Sequence, residues 1–238
     1  MSAIRFQHVS LRLYKRRRRR GGRIGEMKAG ITLASYWALR DITFSVEPGE
    51  AVAVVGGKAA SRTGLLRLAA HTLLPDEGRV SAGGRVLPVI ALKRAMVSGF
   101  TVRQNVHLLG GLLGMGRDEA AASLPWIVDF AGLRDRVDHH LSAVPRPLRP
   151  RLAQAIAFAV DSPIVIIDGR LAPGGRGFQT ACYGELERMR EEGRTFLVSS
   201  SVGRDLRWLC DRAIYLEDGR IAAEGTVKEM LALTRSER

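Results

Sequence analysis

The chain has 238 residues, 46% of them apolar, and a formal charge of +13, enough for one large α/β domain or a core with a smaller lobe. Six of those charges fall in Lys15–Arg20 and +7 remains elsewhere, so the expected partner surface is anionic: phospholipid headgroups, nucleic acid or an acidic protein. No stretch approaches the roughly 18 uninterrupted apolar residues of a membrane span, and "MSAIRFQHVS" lacks the apolar segment of a signal peptide. The expectation is a protein that is soluble or sits on a membrane through a partner.

In chain order, "AIRFQHVSLRLY" alternates apolar and polar residues and predicts an edge strand. A basic, glycine-containing insertion at about 15–30 follows, expected to be mobile. "YWALRDITFSVEPGE" predicts a strand closed by a turn at Pro48–Gly49. "AVAVV" reads as a buried parallel strand, "TGLLRLAAHTLL" as a helix and "PDEG" at 75–78 as a turn. "GRVSAGGRVLPVI" predicts short strands, and from about 101 the periodicity turns helical: "TVRQNVHLLGGLLGM", "RDEAAASLPWIVDFAGL" and "PRLAQAIAFAV". "IVIIDG" and "RTFLVSSS" predict two more buried strands, with the helix "GFQTACYGELERMREEG" between them. "RDLRWLCD" reads as a short helix and "RAIYLEDGRIAAEG" as a hairpin turning at Asp218–Gly219. These elements predict a single α/β domain over 1–238: a mostly parallel sheet core at about 1–90 and 160–238, antiparallel edge strands, and a helical lobe inserted at about 90–160.

The stretch "AVAVVGGKAASRTGLLRLAA" has the build of a phosphate-binding loop, an apolar strand leading through glycines into a helix. It departs from G-x-x-x-x-G-K-[ST]. Counted from Gly56, Ser61 stands at the second glycine, Arg62 at the lysine, and Thr63 supplies the hydroxyl. A side chain at Ser61 costs strain if the loop keeps the same shape. The planar fork of Arg62 keeps the charge but fits a tight cradle poorly.

Three segments in this order resemble the ATP-binding subunit of an ABC transporter: the loop at 56–63, "IVIID" ending in Asp168, and "CDRAIYLEDGRIAAEGTVKEML". The finer resemblance is to subunits that drive export of capsular polysaccharide, O-antigen and teichoic acid. "YWALRDITFSVEPGE" is similar to that group's "fWALkdVSFev..GE", "TVRQNV" with "GGLLGM" to "TGRENI…LLGM", "RLAQAIAFAVDSPIVIID" to "RLAFAIAFALDPDILLID", and "GFQTAC" to "AFQRKC". It runs from Ile4 to about Leu231. It implies a P-loop NTPase-like ABC nucleotide-binding domain with an inserted helical subdomain.

The resemblance also assigns site positions. Asp168 stands at the metal-coordinating aspartate, with Thr63 as the other metal contact. Gly169 stands where the family has a glutamate that polarises the attacking water, and glycine cannot do this. The family's "SSGM" signature aligns with "PRPLRPRL", where Pro147 has no N–H to donate. Ser200 stands at the histidine that contacts the γ-phosphate, and Pro173–Gly174–Gly175 replaces a "VGD" segment. Ala91 or Lys93 falls where a glutamate or glutamine precedes the helical lobe. The adenine-stacking aromatic is Tyr14 or Trp37.

Losses at the loop, the base, the signature and the switch together imply that hydrolysis is gone and no catalytic residue remains. The implied nucleotide-binding set is Gly56, Ser61, Arg62, Thr63, Tyr14 and Trp37, with ATP and Mg2+ bound weakly or not at all. The implied function is a pseudo-ATPase subunit that scaffolds or regulates a polymer exporter, peripheral on the cytoplasmic face of the inner membrane. Its implied partners are a polytopic permease and either a second copy or an intact ATP-binding subunit. Lys15–Arg20 would lie on anionic lipid. Two alternatives remain: an active ATPase coupled to polysaccharide export, and a basic module binding nucleic acid or acidic polymer. Nucleic acid is disfavoured because no stacking aromatics interleave the arginines. Trp126 and Phe130 are expected in the core; Cys182 and Cys210, read as small core or surface residues, have no metal or redox spacing and fit a reducing, cytosolic setting. His139 and His140 are expected to be solvated.

Overall fold

The computed structural model describes residues 2–17, 32–172 and 174–236. Most of the basic insertion and Pro173 lie outside the described residues. Two sheets organise the chain. The antiparallel one holds β1 (Ile4–Arg17), β2 (Thr32–Val46) and β4 (Glu77–Ala82) in the order β2-β1-β4. The larger one holds β3 (Ala51–Gly56), β5 (Val86–Ile90), β6 (Ile164–Asp168), β7 (Thr195–Ser199), β8 (Arg212–Glu217) and β9 (Arg220–Thr226) in the order β5-β6-β7-β3-β8-β9. Its first five strands are parallel and β9 pairs antiparallel with β8.

The first strand differs from its sequence expectation. β1 is the central strand of its sheet, paired with both β2 and β4, not an edge. Its alternating pattern is that of a half-buried strand, and such a pattern cannot say how many neighbours the strand has. β1 also continues through Lys15, Arg16 and Arg17, which pair with Ala34, Leu33 and Thr32.

The continuous apolar strands of the large sheet are buried on both faces. In β3, Ala51, Ala53 and Val55 enter one core, and Val52 and Val54 enter the other. Val165 and Ile167 of β6 join the first core while Ile164 and Ile166 join the second. The second core is closed by the antiparallel sheet and by α1 (Ala59–Ala69), whose Leu65, Leu66, Leu68 and Ala69 are buried in it. Gly64 lets α1 approach β1: a Cβ there would lie 2.8 Å from Leu11 Cδ2.

The first core is closed by α2 (Val102–Leu112), α3 (Arg117–Ala131), α4 (Arg149–Phe158) and α5 (Arg176–Glu191). α2 opens on a capping box in which Thr101 and Gln104 satisfy each other's backbone N–H. The buried Asn105 ties the preceding loop down, donating to the carbonyls of Val97 and Thr101 and accepting from Val97 N–H. α3 carries Pro125 within its span and ends at Gly132 in the left-handed region. Trp126, expected in the core, is 40% exposed and stacks on Phe130 at 4.9 Å. Cys182 and Cys210, for which core and surface were both open, are buried. α6 (Gly203–Leu209) and α7 (Val227–Ser236) complete the chain. α7 is an element the sequence reading did not assign.

Candidate functional site

In the parallel part of the sheet the loops at the carboxyl ends of β3, β6 and β7 converge, as the neighbouring order β6-β7-β3 requires. Gly56 closes β3 with φ +71°, and Gly57 follows at φ +57°. At Gly56 glycine is required on two counts. The backbone is left-handed, and a Cβ would meet Leu216 O and the Tyr215 ring at 2.5 Å.

After Lys58 the chain turns directly into α1, which starts at Ala59. The helix therefore begins four residues before its sequence expectation. Ala59, Ala60 and Ser61 all have good reason to be helical once glycine is gone. The N–H groups of Ser61 and Arg62 both point to Lys58 O, at 3.0 and 3.3 Å. Ser61 is itself buried on α1, at 4% exposure.

Arg62 turns back onto the loop. Its Nη1 donates to Gly56 O and to Gly57 O, the latter at 2.7 Å, and its Nε donates to Ser199 Oγ at 3.3 Å. Burial pulls the guanidinium below its ordinary range, and the Asp168 charge opposes part of that drop. Arginine stays protonated regardless. Thr63 faces the end of β6, its hydroxyl donating to Asp168 Oδ2 at 2.7 Å.

Asp168 ends β6 opposite Ser199 of β7. Gly169 follows with φ +122°, a conformation that L side chains rarely adopt, and its N–H donates to Ser199 O at 2.8 Å. Ser199 thus receives both Arg62 and Gly169, a role the sequence reading missed because it singled out Ser200. The β6–β7 register is what brings Ser199 here, and no local motif signals it. Ser200 instead caps its own turn, accepting from Val202 N–H at 3.1 Å.

The structure therefore brings together Gly56, Arg62, Thr63 and Asp168, with Ser61 buried behind them. Tyr14 and Trp37 stand on the β1–β2 ribbon. Tyr14 is 65% exposed opposite Ser35, and Trp37 lies under the Arg12 guanidinium at 4.3 Å. Ala91 directly follows β5 at φ +52°, and Lys93 lies in a 3-10 turn at Leu92–Arg94. Pro147 lies in another 3-10 turn, Arg146–Leu148, ahead of α4. Two arginines of this stretch are turned to protein groups. Arg149 donates to Val144 O and Ser142 O, and Arg151 lies 5.1 Å over the Phe178 ring. His139 and His140 are exposed, and His140 Nδ1 contacts Gly99 O at 2.8 Å. No cluster of three metal-ligating side chains exists among the described residues.

Among solved structures, the chain is similar to the dimeric ATP-binding cassette MJ0796 bound to ADP and Pi, with a TM-score of 0.73 at 18% identity, covering 94% of this chain and 98% of that one. A second, an ATP-binding subunit of an ABC transporter, gives 0.74 at 18% identity, covering 98% and 93%. These establish the α/β fold of an ABC nucleotide-binding domain. No protein-family model matches the chain. Among curated proteins it is 33% identical over 196 residues to the ABC transporter protein AbcA of Aeromonas salmonicida, covering 82% of this chain and 64% of that protein. It is 30% identical over 198 residues to the O-antigen export system ATP-binding protein RfbB of Klebsiella pneumoniae, covering 83% and 80%. The teichoic acids export ATP-binding protein TagH of Listeria monocytogenes is 28% identical over 199 residues, covering 83% and 59%. At 30% identity over 80% of the RfbB chain, and with the fold of an ABC nucleotide-binding domain, the chain belongs to the polysaccharide-export group of ABC-transporter ATP-binding subunits.

Proposed function

We propose that the chain is an ATP-binding-type subunit of a membrane ABC exporter for a polysaccharide or related polymer, and that it no longer hydrolyses ATP. Its role in the complex is to scaffold or regulate. The observation that carries the reading is Gly169, which follows Asp168 without any carboxylate to orient water and in a glycine-type backbone conformation. The loop supports it. Its Ser61 and Arg62 N–H groups are taken by Lys58 O, and the Arg62 side chain by loop carbonyls, so this arrangement does not fit a nucleotide's phosphates.

Thr63 and Asp168 favour a second reading, weak Mg·ATP binding without turnover, because a hydroxyl and a carboxylate 2.7 Å apart form half of a metal site. In either reading the subunit is peripheral, on the cytoplasmic face of the inner membrane and held by a polytopic permease. The basic segment Lys15–Arg20 rests on anionic lipid. No helix among the described residues is long and apolar enough to cross a membrane.

The test is phosphate release from Mg·ATP by the purified chain, beside Asp168→Asn, with equilibrium ATP binding measured on the same samples. Background release from both proteins is the expected result. Turnover above background that Asp168→Asn abolishes would restore the active-ATPase reading.

A further inference from the structure

We infer that the cavity between α5 and α6 binds a small zwitterion, with a quaternary ammonium at one end and an anionic group at the other, as in a betaine or a choline phosphate. The site shares no residue with the loop and strand ends around Asp168. It stands whether or not the chain turns over ATP.

The cavity has a volume of about 300 Å3 and is lined by Tyr183 of α5 and by Arg204, Asp205 and Trp208 of α6. Their i, i+4 spacing places Arg204 and Trp208 on one face of α6. The Tyr183 and Trp208 rings meet edge to face, with centroids 4.9 Å apart and planes at 77°. Two aromatic surfaces therefore bound the space at nearly a right angle. The backbone of Trp208 is tied down by Arg190, which donates to its carbonyl at 3.4 Å and pairs with Asp211 at 2.8 Å. The Trp208 ring still leaves the residue 37% exposed.

Asp205 is the group that the fold leaves incompletely matched. It is 4% exposed, and one of its oxygens accepts from the Tyr183 hydroxyl at 2.7 Å. Among the described residues no hydrogen bond reaches the other oxygen, and no cation pairs with the carboxylate. Burying a carboxylate is costly unless it is paired, and this one lines a cavity with room for a partner. Tyr183 stays a neutral donor. Burial, and then its bond to Asp205, push its hydroxyl up, with Arg204 opposing part of the rise. The cavity beside Trp126 has the same volume, about 300 Å3, but its cations are already matched. There Arg188 is paired with Glu185 and Glu192, and Arg194 with Asp161 and Glu192.

The walls select the kind of cation. A primary ammonium brings three N–H donors, and the lining offers it one free carboxylate oxygen. A quaternary ammonium has no N–H to satisfy. It is held by aromatic faces and by charge, which Tyr183, Trp208 and Asp205 supply. Arg204 selects the rest of the ligand. It is exposed and has no ion-pair partner among the described residues. It therefore repels a bare cation and takes up an anionic group tethered to one. Arg207, the other cation of α6, is turned toward Gly203 and α7. A Cβ at Gly203 would lie 3.7 Å from Arg207 Nη1 and 3.2 Å from Leu231 Cδ1.

Glycine betaine is the probe, titrated by calorimetry into the full chain without nucleotide. Tetramethylammonium presents the cation alone and acetate the anion alone. Trp208→Ala removes a wall, Asp205→Asn the buried charge and Arg204→Ala the anion contact, with Trp126→Ala as the control. Circular dichroism and urea melts check that each is native. Trp208 and Arg204 are exposed, so their variants carry the test should Asp205→Asn not fold. Wild type and Trp126→Ala are expected to bind betaine more tightly than either half-ligand. Trp208→Ala and Arg204→Ala are each expected to bind it at least about tenfold more weakly. Arg204→Ala is also expected to erase the preference for betaine over tetramethylammonium. Phosphocholine and phosphatidylcholine vesicles separate the two sources. Betaine binding tighter than phosphocholine supports a free solute. The reverse order, with vesicle flotation lost in Trp208→Ala, supports a lipid headgroup.

Tetramethylammonium binding to wild type as tightly as betaine would overturn the inference in favour of a simple cation site. Acetate binding as tightly as betaine would overturn it in favour of an anion site at Arg204. Betaine binding that survives both Trp208→Ala and Arg204→Ala, or no binding at millimolar betaine, would overturn it outright. ATP hydrolysis by the chain would sink the earlier reading and leave this result unaffected, because the titration contains no nucleotide.

Discussion

Thr63 Oγ1 donates to Asp168 Oδ2 at 2.7 Å, joining the second turn of α1 to the end of β6 across 105 residues of sequence. One residue earlier, Arg62 turns the opposite way and closes on the carbonyls of Gly56 and Gly57. The two side chains make the loop a self-satisfied structural joint. Its helix begins where a glycine-rich loop would still be open.

Arg62→Ala is therefore expected to destabilise the fold. It removes hydrogen bonds to Gly56 O, Gly57 O and Ser199 Oγ from a half-buried cation. A loss of about 2 kcal/mol is expected, because bonds to charged groups exceed neutral ones but the carbonyl of Gly57 remains accessible to water. A lower urea midpoint at unchanged m-value checks it. Arg62→Lys, which keeps the charge but not the fork, is expected to fall between the two.

Gly169→Glu is expected to leave phosphate release at background. It is also expected to cost about 1–3 kcal/mol, since the residue sits at φ +122°. Nothing lies within 4 Å of a Cβ built there, so the cost is backbone strain and not crowding. Gly169→Ala should then cost nearly as much as Gly169→Glu in the same urea experiment. A neutral Gly169→Ala would refute the strain argument.

The acid limb of stability should depend on Glu50. Burial pushes its carboxyl up, but hydrogen bonds from Arg212 and from Glu47 N–H, with the Arg212 charge, outweigh this and hold it below its ordinary 4.5. A carboxyl depressed in the folded state adds stability above its unfolded value, and that stability is lost as pH falls through the folded value. Unfolding free energy is therefore expected to fall below about pH 4.5. Arg212→Met is expected to lower stability near neutrality by on the order of 2 kcal/mol and to flatten this limb. Urea titrations from pH 7 to pH 3 measure both.

Cys182 and Cys210 are expected to resist thiol reagents in the native protein. Burial pushes both thiols up to about 12, which removes the reactive thiolate near pH 8. Labelling by iodoacetamide should be negligible until urea unfolds the chain. Rapid native labelling at either position would contradict the closed core around α5 and α6.

Much of this fold is legible in the residues. The two-sided strands "AVAVV" and "IVIID" read as continuous apolar runs, and the Asp218–Gly219 turn reads as a hairpin. The local chemistry of apolar runs and turn residues is enough for these. The absence of a carboxylate after Asp168 is likewise a fact of the sequence alone, as is Pro147 in the stretch "PRPLRPRL". The central position of β1, the early start of α1 and the meeting of Arg62 and Gly169 at Ser199 are not legible there. Each depends on which strands become neighbours, and the β6–β7 register places Asp168 opposite Ser199 from 31 residues away. Periodicity records which face of an element is buried. Strand order and long-range register record what it is buried against, and only the packed chain decides where the side chain of Arg62 finds its acceptors.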